Sequence, residues 1–113
     1  MNALWVFLGG GVGSLLRFAA GASSVATWAV NVVGCTAMGA LMASSVASSA
    51  PARFFWATGV LGGLTTYSTF NQQVLDFVRV GRGWSALIYA SATLGACALC
   101  GALGYGSMRW LFR

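Results

Sequence analysis

The chain has 113 residues, of which 58% are hydrophobic and 6% are charged, and it contains neither histidine nor lysine. A soluble domain carries about a quarter charged residues, so this composition excludes a water-soluble fold and predicts an all-α integral membrane protein. The net charge of +5 comes from arginines that do not cluster, which argues against nucleic-acid binding, and the single carboxylate, Asp76, leaves hydrolytic catalysis and proton-coupled export without the groups they need. We do not expect an enzyme.

Runs without charged side chains predict four membrane helices within a single domain, residues 1–113. Their approximate ranges are 3–20, 25–45, 54–77 and 84–104, each close to the ~20 residues that a helix needs to cross a bilayer. The start of the chain lacks a basic region and a convincing cleavage site, so the first run is interpreted as the first helix of the mature protein. Four such helices bury little polar surface alone, which predicts oligomerisation.

The predicted first helix carries a glycine motif and ends near an arginine. Gly9 and Gly13 have the GxxxG spacing, and small residues at that interval let helix backbones approach closely. Arg17 follows one turn later. It either anchors the helix at the headgroups or lies at the mouth of an aqueous vestibule and attracts anions.

The predicted second helix has one strongly polar side chain at membrane depth, Asn31, with Thr27 one turn earlier on the same face. An amide in hydrocarbon needs partners. Asn31 therefore either hydrogen-bonds to a neighbouring helix or donates its NH₂ group to an ion in a pore. Gly34 and Gly39 predict close packing of the same helix.

The predicted third helix is uncharged from Phe54 to Leu75, yet residues 62–66 at its centre read Gly-Gly-Leu-Thr-Thr. Glycine and threonine hold a helix poorly, which predicts a break there. Carbonyls freed in hydrocarbon must be satisfied by protein or by an ion, so the break is interpreted as an ion site. Tyr67 and Phe70, at i and i+3, form either a core pair or electropositive ring edges that face an anion.

The predicted fourth helix has a mildly polar stripe, because Tyr89, Thr93 and Cys97 recur every four residues. Cys97 and Cys100 also have the CxxC spacing, but there is no histidine and no second thiol pair for a metal or redox site. Together with Cys35 they are interpreted as small apolar packing residues.

The distribution of the arginines predicts almost no preference for one orientation of the chain in the membrane. Lysine and arginine in short loops set orientation, and four helices divide the arginines three against three between the two membrane faces. Arg53, Arg109 and Arg113 share one face; Arg17, Arg79 and Arg82 share the other. We therefore hypothesise insertion in both orientations and an antiparallel dimer about a twofold axis in the membrane.

These residues together resemble the CrcB/Fluc fluoride ion channels over nearly the whole chain. The resemblance includes the glycine-rich helix from Gly9 to Arg17, the run Asn31-Val32-Val33-Gly34 with Gly39 following, and the segment Gly59 to Phe70. The last is the most specific, since it is similar to a family run Gly-Gly-x-Thr-Thr-Phe-Ser-Thr-Phe, with Tyr67 in place of the first Phe.

The resemblance implies a passive, highly selective fluoride channel that exports cytoplasmic fluoride and reduces its toxicity. It also implies an antiparallel, dual-topology homodimer of four-helix subunits in the cell inner membrane, with two fluoride pathways. A structural sodium ion, which is not transported, would be held at the dimer centre by backbone carbonyls of Gly62 and Thr65 from the broken third helix.

The resemblance further assigns an ion pathway. Its aromatic box is Tyr67 and Phe70, its pore-facing asparagine is Asn31, its polar track is Tyr89 and Thr93, and its additional hydroxyls are Thr27, Ser68 and Thr69. Arg17 would line the vestibule.

Three departures from the family pattern leave other interpretations open. They are the phenol of Tyr67, the thiol of Cys97 at a track position where a hydroxyl is expected, and Gln73 where many relatives have Glu. The chain could be half of a heterodimer with a paralogue. It could also be another small-ion or metabolite transporter, which would conduct chloride comparably, or a noncatalytic membrane assembly subunit, which would show no flux.

Overall fold

The structure, a computed structural model, describes all 113 residues and consists of helices without a β-strand. Three helices are long and apolar enough to cross a membrane: α1 (Asn2–Ala20), α2 (Ser24–Ala43) and α5 (Gly83–Leu111). The first two lie within two residues of the predicted ranges. The last continues to Leu111 rather than ending near 104, because a charge at the membrane edge does not end a helix: Arg109 lies in the last turn, where a cation interacts favourably with the helix dipole.

The chain between α2 and α5, where the sequence predicted a third helix over 54–77 with a break at its centre, forms two shorter helical segments. After a 3₁₀ turn at Ser45–Ser48, helix α3 covers residues 50–64, wound as α-helix at Ala50–Arg53, as π-helix at Phe54–Leu61 and as α-helix at Gly62–Leu64. Helix α4 covers Tyr67–Arg79. Helix α3 begins earlier than predicted because Pro51 lies in its first turn, where the missing N–H costs no hydrogen bond.

The backbone between α3 and α4 is extended at two threonines, not at the glycines that precede them. Thr65 has φ −78° and ψ 152°, and Thr66 has φ −147° and ψ 116°, whereas Gly62 is helical. The reason is packing. A Cβ on Gly63 would lie 2.7 Å from the carbonyl oxygen of Gly10 on α1, so glycine here serves close contact between helices rather than unwinding.

The helices pack as two close pairs, α1 with α3 and α2 with α5. A Cβ on Gly13 would meet the carbonyl oxygen of Val60 and lie 2.8 Å from the amide nitrogen of Leu64, and Gly9 is similarly placed against Gly59. The predicted close approach at the GxxxG motif is confirmed. Gly39 has the corresponding role on α2, where an added Cβ would meet backbone atoms of α5.

Most of the surface is apolar. Only 14 of 113 residues are buried, while large hydrophobic side chains such as Phe7 (75% exposed) and Leu15 (69%) face outward. Soluble monomers rarely expose contiguous apolar surface on this scale. The longest dimension is 48 Å, close to the ~40–45 Å of a bilayer with its headgroups. This surface is that of a membrane protein.

Candidate functional site

The side chain of Asn31 provides hydrogen-bond partners for the backbone of Thr66, where the helical hydrogen bonding is interrupted between α3 and α4. Its Oδ1 accepts a hydrogen bond from the Thr66 backbone N–H at 2.8 Å, and its Nδ2 donates to the Thr66 carbonyl oxygen at 3.1 Å. Both residues are buried. The amide thus replaces a backbone partner for Thr66, as the helix–helix interpretation of Asn31 required. One N–H of its NH₂ group is used, and a second remains free to donate.

The hydroxyl of Thr66 starts α4. Its Oγ1 accepts a hydrogen bond from the backbone N–H of Thr69 at 3.2 Å, which is N-terminal capping of the usual kind. The Ser68 and Thr69 hydroxyls lie 3.3 and 3.1 Å from the same oxygen. The three hydroxyls therefore form one local cluster at the beginning of α4.

Two carbonyl oxygens lose their ordinary helical donors as a consequence. In a continuous helix the N–H of Thr66 would donate to Gly62, and that of Thr69 would donate to Thr65. Here Thr66 donates to Asn31, and Thr69 donates to the Thr66 hydroxyl. Carbonyl oxygens that have lost their helical hydrogen bonds are suitable ligands for a hard cation such as sodium.

Side-chain ligands give no alternative metal centre. No group of three or more His, Cys, Asp or Glu side chains is arranged to hold an ion. The only carboxylate, Asp76, lies on the exposed part of α4, 4.0 Å from the guanidinium of Arg79. A hard cation would therefore take oxygen ligands other than clustered carboxylates, and the carbonyl oxygens of Gly62 and Thr65 are of that kind.

Two open cavities meet at Thr66. The first has a volume of about 500 Å³, and Arg17, Thr27, Thr66 and Thr69 lie on its wall. Arg17 is half-buried there. An arginine beside three hydroxyls makes this cavity positive and rich in hydrogen-bond donors, as expected of an anion vestibule.

The second cavity also has Thr66 on its wall and has a volume of about 210 Å³. Its wall includes Asn31, Tyr67, Phe70 and Thr93. The hydroxyl of Thr93 is buried and has no hydrogen-bond partner within the chain. Buried polar groups usually have a hydrogen-bond partner, so this hydroxyl is available to water or to an ion in the cavity.

The aromatic side chains form a connected row. The ring centroids of Tyr67 and Phe70 are 5.6 Å apart, those of Phe70 and Tyr89 are 5.5 Å apart, and those of Phe77 and Tyr89 are 5.8 Å apart. Phe70 is buried, whereas Tyr67 is 72% exposed. Tyr67 is therefore the most exposed ring of the row, whereas Phe70 reaches open space only at the wall of the second cavity.

Gln73 joins three elements through hydrogen bonds. Its Oε1 accepts from the Tyr89 hydroxyl at 2.7 Å, and its Nε2 donates to the Thr27 hydroxyl oxygen and to the Ala22 carbonyl oxygen, both at 3.0 Å. The proton of Tyr89 is therefore committed inside the protein. Thr27 accepts from Gln73 and keeps its own proton for the first cavity.

The structure brings most of the predicted pathway residues to these cavities and separates two of them. Tyr89 lines neither cavity, and Ser68 is exposed beside the Thr66 cluster. Sequence reasoning did not select Thr66 or Gln73. Thr66 could have been found as an N-cap, since threonine directly precedes a helix there. Gln73 carried no signal beyond its difference from the family pattern.

Comparison with known proteins covers the same region. Residues 4–105 match the family model described as CrcB-like protein, Camphor Resistance (CrcB). The fluoride-specific ion channel FluC 2 of Rhodococcus jostii (strain RHA1) is 35% identical over 112 residues, covering 93% of this chain and 96% of the relative. The fluoride-specific ion channel FluC of Anaeromyxobacter sp. (strain K) is 36% identical over 120 residues, covering 96% and 95%. All residues on the walls of the two cavities lie within the range matched by the family model.

Proposed function

Because this chain belongs to the CrcB family, whose members are ion channels and not enzymes, we propose that it is a passive, fluoride-specific channel through which cytoplasmic fluoride leaves the cell. No group needed for energy coupling accompanies the cavities: the chain has one carboxylate, and it lies on the surface. Fluoride therefore moves down its electrochemical gradient.

The observation that carries the proposal is the junction between the cavities. Fluoride is small and strongly hydrated, so a selective path must replace its water with close donors. The junction and the second cavity offer the free N–H of Asn31, the unpartnered hydroxyl of Thr93 and the edge of the Phe70 ring. None of these groups titrates near neutral pH, so the donors are permanent.

We place the route from the first cavity to the second. Arg17 and Thr27 attract the ion into the first cavity, and Thr66 and Asn31 receive it at the junction. Phe70 and Thr93 then contact it in the second cavity. Tyr89 contributes its ring beside Phe70, because its hydroxyl is already bound to Gln73.

Sodium is the proposed structural ion, held by the freed carbonyls of Gly62 and Thr65. When bound, it supplies a fixed positive charge that offsets the cost of placing an anion at low dielectric. Asn31 and Thr66 keep the two carbonyls available by taking the N–H groups that would otherwise bond to them.

The proposed assembly is an antiparallel homodimer inserted in both orientations in the cell inner membrane. Helices α3 and α4 together make the remaining membrane crossing, with the extended threonines at its middle. The exposed ring of Tyr67 and the apolar outer faces of the helices support a partner subunit. The balance of three arginines against three favours two copies of the same chain.

Purified protein in liposomes tests the function. Loaded vesicles should release fluoride down its gradient as soon as electrical balance is provided, and release chloride no faster than protein-free vesicles. Comparable release of both anions would identify a general small-anion transporter. Release of neither would identify an assembly subunit, and either result would contradict the proposal.

A further inference from the structure

Two cysteines from different helices share the walls of two neighbouring cavities. Cys35 on α2 and Cys97 on α5 both line the second cavity, together with Asn31, Phe70 and Thr93. Both also line an adjacent cavity of about 370 Å³. Neither is in a disulfide, and each is half-buried. Two free thiols thus open onto the proposed ion route.

The thiols are near each other because α2 and α5 pack closely at this level. An added Cβ on Gly39 of α2 would meet the carbonyl oxygen of Gly101, which lies one turn after Cys97 on α5. Cys35 and Cys97 therefore line the same two cavities from two closely packed helices. Cys100 is also free, but it lines neither cavity.

We propose that Cys35 and Cys97 form a two-thiol binding site for a soft monovalent cation of the Cu⁺ or Ag⁺ class. Thiolates select soft ions. No third histidine, cysteine or carboxylate completes a cluster with them, so the site cannot supply the four ligands of a structural zinc centre. An ion that is satisfied by two sulfur ligands fits the pair.

Ions can reach the site from the second cavity. The Thr93 hydroxyl on the same wall is buried and has no partner in the chain, so it offers an entering ion or water a polar contact. On binding, two S–H bonds break, two metal–sulfur bonds form, and the two protons leave with water. The product has one positive and two negative charges, a net charge of −1.

That charge blocks fluoride, a consequence that rests on the proposed channel function. The bound site and a fluoride ion each carry one negative charge. At an effective dielectric constant of about 20 and a separation of roughly 6 Å, their repulsion lowers the occupancy of the route by fluoride on the order of 100-fold. Fluoride is a hard ligand and binds a soft cation only weakly, so it does not relieve the block by coordinating the metal. Cation binding should therefore stop anion flux.

Calorimetric titration with silver nitrate in chloride-free buffer tests the site on detergent-purified protein, without relying on transport. The wild-type chain should bind one Ag⁺ tightly. Cys35→Ser and Cys97→Ser should each abolish tight binding of Ag⁺. Cys35→Ala and Cys97→Ala should do the same, and they replace a serine variant that does not fold. Cys100→Ser, changed on the same helix but outside both cavities, should bind as wild type does.

Fluoride efflux from liposomes then tests the block. Silver should slow the wild-type and Cys100→Ser proteins on the order of 100-fold, whereas Cys97→Ser should keep its own rate when silver is added. Equal binding by Cys97→Ser, loss of binding in Cys100→Ser, or tight binding without slower efflux would overturn the proposal. If the untreated wild type does not conduct fluoride, the channel function fails, and the titration still decides whether the site exists.

Discussion

The pairing of Asn31 with Thr66 explains how a polar amide and an extended backbone are both accommodated in hydrocarbon. An unsatisfied backbone group at membrane depth costs several kcal/mol, and Thr66 has two such groups. One amide satisfies both, at 2.8 and 3.1 Å. The same amide keeps one N–H for an ion. In the proposed channel, Oδ1 and one N–H of Asn31 would hold the backbone, and the other N–H would serve the ion.

Asn31→Asp should abolish measurable fluoride efflux. The carboxylate loses the donor to the Thr66 carbonyl oxygen and places a negative charge at the junction. A like charge about 4 Å away costs about 4 kcal/mol at an effective dielectric constant of 20, or roughly 1,000-fold. Efflux from liposomes measures this. Asn71→Asp is the matched control and should conduct as the wild type does, since Asn71 is exposed and lines neither cavity. Undiminished fluoride efflux in the Asn31→Asp variant would refute the proposed route.

Gln73→Leu should destabilise the protein more than Tyr89→Phe does. Tyr89→Phe removes the 2.7 Å hydrogen bond to Gln73 and a longer one, 3.4 Å, to the Ser24 carbonyl oxygen, whereas Gln73→Leu removes the partner of Tyr89, Thr27 and Ala22. A hydrogen bond between membrane helices contributes about 0.6 kcal/mol on average. The double variant should be less destabilised than the sum of the two, because they share one bond. Thermal unfolding in detergent measures all three, and strict additivity would show that the Tyr89–Gln73 bond contributes nothing.

Among the helices, glycines set the spacing and threonines set the direction of the chain. Gly9 and Gly13 bring α1 against α3 so closely that no Cβ fits. With α3 held there, the extended Thr65 and Thr66 redirect the chain into α4, and the Thr66 hydroxyl caps its first turn. The position of the junction therefore depends on the α1–α3 contact as well as on the residues in the junction itself.

Gly13→Ala should lower stability by roughly 1–3 kcal/mol, the usual cost of overpacking. The added methyl group would meet backbone atoms of Val60 and Leu64, which cannot move as a flexible side chain can. Gly11→Ala is the matched control on the same helix, because nothing lies within 4 Å of its added Cβ. The measurement is the thermal midpoint in detergent. Equal midpoints for the two variants would contradict the close contact of α1 with α3.

The subunit taken as one body has an apolar exterior and few charges to orient it. Its six arginines lie near helix ends, and three stack on aromatic rings: Arg53 over Phe54, Arg82 over Phe77 and Arg109 over Tyr105. Such pairs suit the headgroup region, where one end is apolar and the other is wet. Arg53 and Arg109 lie on one of the two proposed faces and Arg82 on the other, so such pairs occur at both ends of the subunit.

Copies of the chain should insert in both orientations. With three arginines on each proposed face, a C-terminal reporter fusion should be found on both sides of the membrane in comparable amounts. Adding two lysines to the turn around Gly81 should drive most copies into one orientation and reduce fluoride flux by removing antiparallel partners. A reporter found on one side only in the unmodified chain would refute dual insertion.

The sequence was sufficient for whatever depends on composition and local pattern. Uncharged runs located α1, α2 and α5, the GxxxG motif located the α1–α3 contact, and the run from Gly62 to Phe70 carried the family resemblance. Each of these rests on hydropathy or on residue size, which are properties of a single segment.

Contacts between segments needed the folded chain. Asn31 and Thr66 are 35 residues apart, Gln73 reaches Thr27 across 46, and the sequence offers no rule that pairs them. The extended backbone fell at Thr65 and Thr66 because Gly63 packs closely against Gly10 of α1 and Asn31 supplies the partners that Thr66 loses. Which hydrogen bonds a polar group makes in hydrocarbon depends on its neighbours in space, and only the packed helices determine those neighbours.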